Sequence, residues 1–343
     1  MKAVQVFGAN QAQYGEVPTP RPAAEEVLCR IQKVGICRTD LEIFDGVMAY
    51  FTLGMAKYPV IPGHEWSGIV VEVGASVQGF QAGDQVSGEC SVGCTRCPKC
   101  LAGLYHQCPN RSETGILNRD GGFAEYIAFP AAFLHRVPAF VSASAAALVE
   151  PTAIAWNGVR QAGVTPQDDV VIYGDGTIGL MLLQVARAFG ARSITVVGAE
   201  PHRLQKALEL GADQVIDANR ATPVEDLLKV GRGELPSVVL EATGYPLAAE
   251  QALRSVRTGG RIVLQGLFQG KKIEVDLDAL VIGDITLRGA LGSPGIWKDV
   301  IDLIARGRVN PDAIVTHTLP LAEYERALEL ARRRTGIKIL LEP

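Results

Sequence analysis

From Asp169 onward the chain alternates two kinds of segment, and this alternation limits the fold more than any other feature. Short β-branched runs at 170–173, 193–197, 214–217, 237–242, 261–265 and 284–288 read as strands. Amphipathic stretches after the first run to Phe189, and at 201–210, 223–230 and 246–256, read as helices. Strands joined through helices of this length lie parallel, because a parallel pair needs a long crossover. The pattern predicts an α/β fold with a doubly wound, Rossmann-type parallel sheet. At its first turn stands Gly174-Asp175-Gly176-Thr177-Ile178-Gly179. G-x-G-x-x-G alone is a weak signal, but here it follows a strand and opens a helix. In that context the glycines shape a tight turn and a pyrophosphate sits on the helix N-terminus. Gly174, Gly176, Thr177, Ile178 and Gly179 are therefore candidate coenzyme contacts.

The carboxylate that bonds the adenosine ribose normally ends the second strand, roughly 20 residues after the glycines. Gly198 occupies that place. Glu200, two residues later, is the candidate for the ribose hydroxyls and would repel a 2′-phosphate. Arg203 is the candidate for a 2′-phosphate. The reading is NAD, with NADP as the alternative.

The first half is strand-rich. Residues 1–6 and about 25–36 read as strands around the turn Val17-Pro18-Thr19-Pro20-Arg21-Pro22. The second strand ends at Gly35-Ile36, and Cys37 opens a short helix with Thr39 and Asp40 in its first turn. Further on, Gly63-His64-Glu65 leads into a strand from Ser67 to Val73. If the chain folds back between them, a thiolate, an imidazole and carboxylates meet. That set suits Zn²⁺ with an open coordination position. A buried free cysteine and a core histidine would be the plain alternative for Cys37 and His64 taken singly. A small-residue helix at 142–149 ends at Glu150, after a run of Ala, Leu and Val. A carboxylate there is costly unless paired or metal-bound, so Glu150 is read as a ligand or as the partner of a zinc-bound water.

Cys94, Cys97, Cys100 and Cys108 follow the spacing C-x2-C-x2-C-x7-C. Four thiolates at these separations can close a tetrahedral shell, which marks a structural zinc site. An iron–sulfur cluster fits the spacing as well. Cys29 and Cys90 read as bystanders. Five of the seven cysteines fall between Cys90 and Cys108, so metal binding in a reducing cytoplasm is a better reading than a disulfide framework.

The 343 residues allow two domains with a large core. A net charge of -4 suggests no basic face for nucleic acid. No apolar run approaches the roughly 18 residues of a membrane span. The start, Met1-Lys2-Ala3-Val4-Gln5-Val6, alternates like a strand rather than a signal peptide.

Taken together, Gly35-Ile36-Cys37-Arg38-Thr39-Asp40, Gly63-His64-Glu65-Trp66-Ser67-Gly68, Gly83-Asp84-Gln85-Val86, the four-cysteine loop, Glu150-Pro151 and the glycine turn resemble the zinc-dependent medium-chain alcohol dehydrogenase family over essentially the full length. The resemblance implies a GroES-like catalytic domain at 1–152 and 290–343 and a Rossmann coenzyme domain at 153–289. Cys37 and His64 match the first two catalytic-zinc ligands, and Glu65 matches a glutamate that ligates or exchanges onto the metal. Glu150 stands where the sorbitol and threonine dehydrogenase branches carry a glutamate and the alcohol branch a cysteine. Thr39 matches the proton-relay hydroxyl, Asp40 the carboxylate that orients the zinc histidine, and Arg38 an arginine that contacts the coenzyme pyrophosphate. Glu42 replaces a relay histidine found in some members. The stretch Val239-Leu240-Glu241-Ala242-Thr243-Gly244-Tyr245-Pro246, with Thr243 as a coenzyme contact, is similar to polyol, threonine and aminocyclitol dehydrogenases.

The resemblance implies hydride transfer between NAD(P) and the secondary alcohol of a polyol-like small molecule: a sugar alcohol, a cyclitol or a hydroxy amino acid. It also implies two zinc ions per chain and a cytoplasmic homo-oligomer, a tetramer rather than a dimer. The rivals are a simple secondary-alcohol dehydrogenase, a zinc-free quinone or enone reductase, and a non-catalytic zinc and nucleotide redox sensor. The substrate pocket is expected among 44–58, 112–118 and 291–297, with Tyr50, Phe51, Glu113, Asn118 and Trp297.

Overall fold

The computed structural model describes residues 1–220 and 222–343. The chain forms two compact units. The first comprises Met1–Glu150, Gly292–Gly307 and Val315–Pro343; the second comprises Pro151–Leu291 and Arg308–Ile314.

The first unit is β-rich, as expected, and built on a seven-stranded sheet. Its axis is the strand Glu26–Gly35, whose apolar residues Val27, Cys29, Ile31 and Val34 are buried. This strand pairs antiparallel with Glu65–Val73, with Tyr126–Pro130 and with the last strand, Lys338–Glu342. The register sets Gly35 opposite Glu65 and also opposite Leu340. Three chain segments distant in sequence therefore reach one end of the sheet together. Trp66 and Phe129 pack edge to face in the core beneath, with ring centroids 5.1 Å apart.

Local chemistry departs from the sequence reading at two places in this unit. Gln11–Glu16 is a strand, paired as a hairpin with Lys2–Gly8; its polar composition, with no buried apolar face, hid it. The helix expected to end at Glu150 is instead Ala143–Ala147, capped by Ser142. A new helix, Val149–Ala162, then begins, with Glu150 in its first turn. Pro151 fits this, because proline is tolerated at a helix start and not in its interior.

The second unit is the expected parallel sheet. Its six strands run in the order Gln214–Asp217, Ser193–Gly198, Asp169–Tyr173, Val238–Glu241, Arg261–Leu264 and Thr286–Gly289. Every pairing is parallel. This is the two-halved order in which the first strand lies centrally and ligands bind beyond the strand ends beside it. A short helix, Leu277–Ile282, precedes the edge strand and was not expected. Asp276 caps it through a hydrogen bond accepted from Ala279 N–H at 3.1 Å.

Candidate metal centres and coenzyme site

Cys37 is the N-cap of the helix Arg38–Asp45, which closes on Gly46 in the left-handed conformation. His64 immediately precedes the strand Glu65–Val73. Because Gly35 and Glu65 are register partners, the two stretches emerge side by side. The ligand atoms of Cys37, His64 and Glu65 all lie within 4.8 Å of one another. Cys37 Sγ is also 3.9 Å from Thr39 Oγ1.

Asp40 ties the two stretches together. It is fully buried, its Oδ2 accepts from Cys37 N–H at 2.8 Å, and its Oδ1 accepts from Gly63 N–H at 3.1 Å. The same Oδ1 stands 3.8 Å from His64 Nδ1. Gly63 has φ +96, and a Cβ there would stand 2.5 Å from Phe123 Cδ1, so glycine is required both by conformation and by space.

Glu150 is buried and lies outside the three-residue group, but it interacts electrostatically with His64, Glu65, Lys338 and Asp40. Burial pushes its carboxyl up to about 7, with His64 pulling the other way and Glu65 adding repulsion. Burial works against a charged His64; the Cys37 thiolate, Asp40 and Glu150 outweigh it and raise the imidazole well above its usual pKa.

The sequence reading missed Lys338. It is fully buried, donates from Nζ to the Ile36 carbonyl at 2.8 Å and pairs with Glu65. A lysine opening an apolar final strand carries no local signal of this partner; only strand pairing brings it to the site. Against this one lysine stand the buried carboxylates of Asp40, Glu65 and Glu150 and the Cys37 thiol. His64 Nδ1 is buried without a hydrogen bond. A mixed S, N and O donor set with an orphaned imidazole nitrogen fits a divalent zinc ion.

Arg38 lies on the exposed side of the same helix and pairs with Glu42 at 3.1 Å. Cys90, read as a bystander, sits nearer the centre than its chain position suggested: Glu113, Glu150, Cys37 and Asp40 all act on its thiol electrostatically. Next to it Tyr50, Arg111 and Glu113 form a polar group. Arg111 Nε donates to Glu113 at 2.8 Å, and Arg111 Nη2 donates to Tyr50 Oη at 3.0 Å. Trp297, expected in a pocket wall, is a core ring instead. It is 1% exposed, stacks on His135 and donates Nε1–H to Ser293 at 3.1 Å.

The second cluster is compact as well. The ligand atoms of Cys94, Cys97, Cys100 and Cys108 lie within 4.8 Å of one another. Cys97 caps the short helix Pro98–Leu101, with Cys100 N–H donating to its sulfur at 3.4 Å. N–H groups of Arg96 and Cys97 bring the Cys94 thiol down to about 6, so a thiolate is at hand for a metal. Four sulfurs leave no open position, which fits a structural zinc.

In the second unit the glycine turn joins Asp169–Tyr173 to the helix Thr177–Ala188, whose N-cap is Gly176. Gly174 and Gly179 flank the turn, and Thr177 and Ile178 open the helix. Glu200 stands at the N-cap position of the helix Pro201–Glu209 without a side-chain cap bond, and Arg203 Nη1 stands 4.0 Å from where a Gly176 Cβ would be. Thr243 follows the strand Val238–Glu241; its N–H donates to Glu241 at 2.7 Å. The glycine turn and Thr243 thus lie at the ends of adjacent central strands, where the strand order reverses. The N–H-rich turn with its helix N-terminus fits a dinucleotide pyrophosphate.

Comparison with known proteins agrees with both units. The alcohol dehydrogenase GroES-like domain profile matches residues 23–139, and the zinc-binding dehydrogenase profile matches 177–306. An L-threonine 3-dehydrogenase of Bacillus licheniformis is 32% identical, covering 100% of this chain and 99% of its own. A sorbitol dehydrogenase of Halalkalibacterium halodurans is 32% identical over 96% of this chain and 94% of its own. A zinc-binding dehydrogenase of Sinorhizobium meliloti, solved with NADP, superposes with a TM-score of 0.93 at 30% identity, covering 100% and 99% of the two chains. The chain belongs to the zinc-dependent medium-chain alcohol and polyol dehydrogenase family. It is an NAD(P)-dependent zinc oxidoreductase of that fold.

Proposed function

We propose that the chain oxidises a secondary alcohol of a polyol-like substrate, a sugar alcohol, cyclitol or hydroxy amino acid, and runs the reverse reduction. The observation that carries this reading is the meeting of Cys37, His64 and Glu65 with Glu150 beside them. Two similar proteins are a sorbitol and a threonine dehydrogenase, which supports the substrate class. The Tyr50, Arg111 and Glu113 group supports a substrate with a second polar function.

Cys37, His64, Glu65 and Glu150 would hold the catalytic zinc, and the four clustered cysteines the structural one. Zinc supplies a Lewis acid that lowers the pKa of an alcohol hydroxyl, and the nicotinamide supplies the hydride acceptor. The chain's own residues do the rest. Asp40 fixes the backbone on which Cys37 and His64 stand. Lys338 holds Glu65 in place through its ion pair. Thr39 Oγ1 is the first group to take the substrate's hydroxyl proton outward. Arg38, Glu200, Arg203 and Thr243 are assigned to coenzyme binding.

The reading further makes the protein a cytoplasmic homo-oligomer, with a tetramer the expected state. Among the described residues no helix is long and apolar enough to cross a membrane. Reduced cysteines suit a metal site in the cytoplasm.

The test is metal analysis joined to an activity screen. Two zinc ions per chain, with NAD(P)-linked turnover of polyols or threonine that Cys37→Ser abolishes, support the proposal. One zinc per chain would favour the redox sensor, and none the zinc-free reductase. Turnover confined to simple secondary alcohols would favour that narrower dehydrogenase.

A further inference from the structure

The glycine turn carries an acidic residue at its second position, Asp175. The residue is 9% exposed, and its carboxylate lies on the end of the neighbouring strand, Ser193–Gly198. Asp175 Oδ2 accepts from Ala199 N–H and from Glu200 N–H, each at 2.8 Å. It lies so close over Gly198 that a Cβ there would stand 2.5 Å from Asp175 Oδ2. Asp175 and Gly198 are complementary: any larger residue at 198 would need the volume that the Asp175 carboxylate fills.

In dinucleotide-binding sheets the end of the second strand is where a carboxylate meets the adenosine ribose hydroxyls. Gly198 offers no such group, but Asp175 delivers one to the same place from the end of the first strand. We propose that Asp175 reads the adenosine ribose and makes this chain select NAD over NADP. Membership of the family leaves that choice open, so the inference deepens the functional reading. It rests only on use of a nicotinamide dinucleotide and not on which alcohol is oxidised.

Two further features act in the same direction. The backbone N–H groups of Ala199 and Glu200 are the natural donors for a 2′-phosphate at a strand end, and Asp175 already occupies both. A phosphate there would also face the carboxylates of Asp175 and Glu200, a repulsion that a neutral hydroxyl pair does not meet. Arg203 is the one sequence candidate for a 2′-phosphate. Its guanidinium lies beside Gly176, the helix N-cap, where a pyrophosphate belongs.

The test is calorimetric binding of NADH and NADPH, with AMP and adenosine 2′,5′-bisphosphate as probes that lack the nicotinamide. The full chain is compared with Asp175→Asn, Asp175→Ala and the double variant Asp175→Ala/Gly198→Asp. The native chain is expected to bind NADH at least about tenfold more tightly than NADPH, and AMP more tightly than the bisphosphate. Asp175→Ala should reduce that ratio by about tenfold, chiefly through weaker NADH binding. Placing the carboxylate on the second strand in the double variant should restore it. Asp175→Asn is nearly isosteric and covers the case in which alanine disturbs the turn; its ratio should fall too. Equal or tighter binding of NADPH by the native chain would overturn the proposal, as would an unchanged ratio in folded Asp175→Asn and Asp175→Ala. Binding needs no turnover. A chain that shows the expected ratios yet oxidises no polyol would retract the substrate reading and leave this one standing.

Discussion

Asp40 has no contact with solvent and bonds the backbone of two stretches that lie more than twenty residues apart in sequence. Its carboxylate positions rather than reacts. Residues that orient metal ligands typically cost about 10–100-fold in metal affinity when removed. Asp40→Ala is therefore expected to weaken catalytic zinc by about that factor and leave the four-cysteine zinc in place, as read by titration with a chelator. Lys338 makes a second prediction at this scale. Removing one partner of a buried pair strands the other charge, at a cost of about 3–5 kcal/mol. Lys338→Met should lose about that much in urea unfolding, and Lys338→Met/Glu65→Gln should recover part of it. Recovery is absent if Lys338 acts only by filling space. Cys37, His64 and Glu65 were legible as candidates because two short stretches bring together the thiol, imidazole and carboxylate types that bind zinc. Lys338 was not, since its meaning comes from a strand pairing 300 residues away in sequence.

At the scale of elements, two loops carry the predictions. The loop from Cys94 to Cys108 has only the short helix Pro98–Leu101 and the turn Tyr105–Gln107, too little regular structure to hold itself. Its anchors are the four sulfurs and Tyr105, whose hydroxyl donates to Glu89 at 2.6 Å. Cys97→Ser should lower zinc from two ions per chain to one and lower Tm, while the remaining zinc stays at the catalytic centre. The second loop precedes the strand Asp169–Tyr173. There Asp168 accepts from Thr165 N–H at 2.8 Å, from Thr165 Oγ1 at 2.9 Å and from Ser237 Oγ at 2.8 Å, and it pairs with Arg261. Burial alone would raise its pKa; Ser237, Thr165 and Arg261 outweigh burial and hold it below 3.8. A carboxylate held low in the fold takes up protons more readily once unfolded. Its stabilisation is thus complete above the unfolded pKa and is lost as pH falls through the folded one. Asp168→Asn should cost about 2 kcal/mol at pH 7. The gap to the native chain should narrow in unfolding curves near pH 3, and a gap independent of pH would contradict this account. The parallel-sheet strands and helices were legible because each is long, periodic and bounded by turn residues. The strand Gln11–Glu16 and the helix Leu277–Ile282 were not: one is polar, and the other is too short to show a period.

At the scale of the molecule, the parallel sheet ends on Thr286–Gly289, whose outer edge has no partner among the described residues. Leu277, Val281, Ile282 and Leu287 are exposed around it. An open edge with apolar neighbours invites pairing with another chain, and a two-fold axis satisfies both copies at once. The homo-oligomer proposed above would then form through this edge, and Val281→Glu/Ile282→Glu should lower the mass read by light scattering, with secondary structure intact. The sequence by itself determined the doubly wound sheet, the glycine turn, the four-cysteine cluster and the ligand types, because each is written in local spacing or periodicity. Tertiary structure alone decided that Glu150 starts a helix, that Trp297 is core, that Lys338 faces Glu65 and that Asp175 fills the place left by Gly198. These depend on which strands become neighbours and in what register, and no single segment of the chain carries that information.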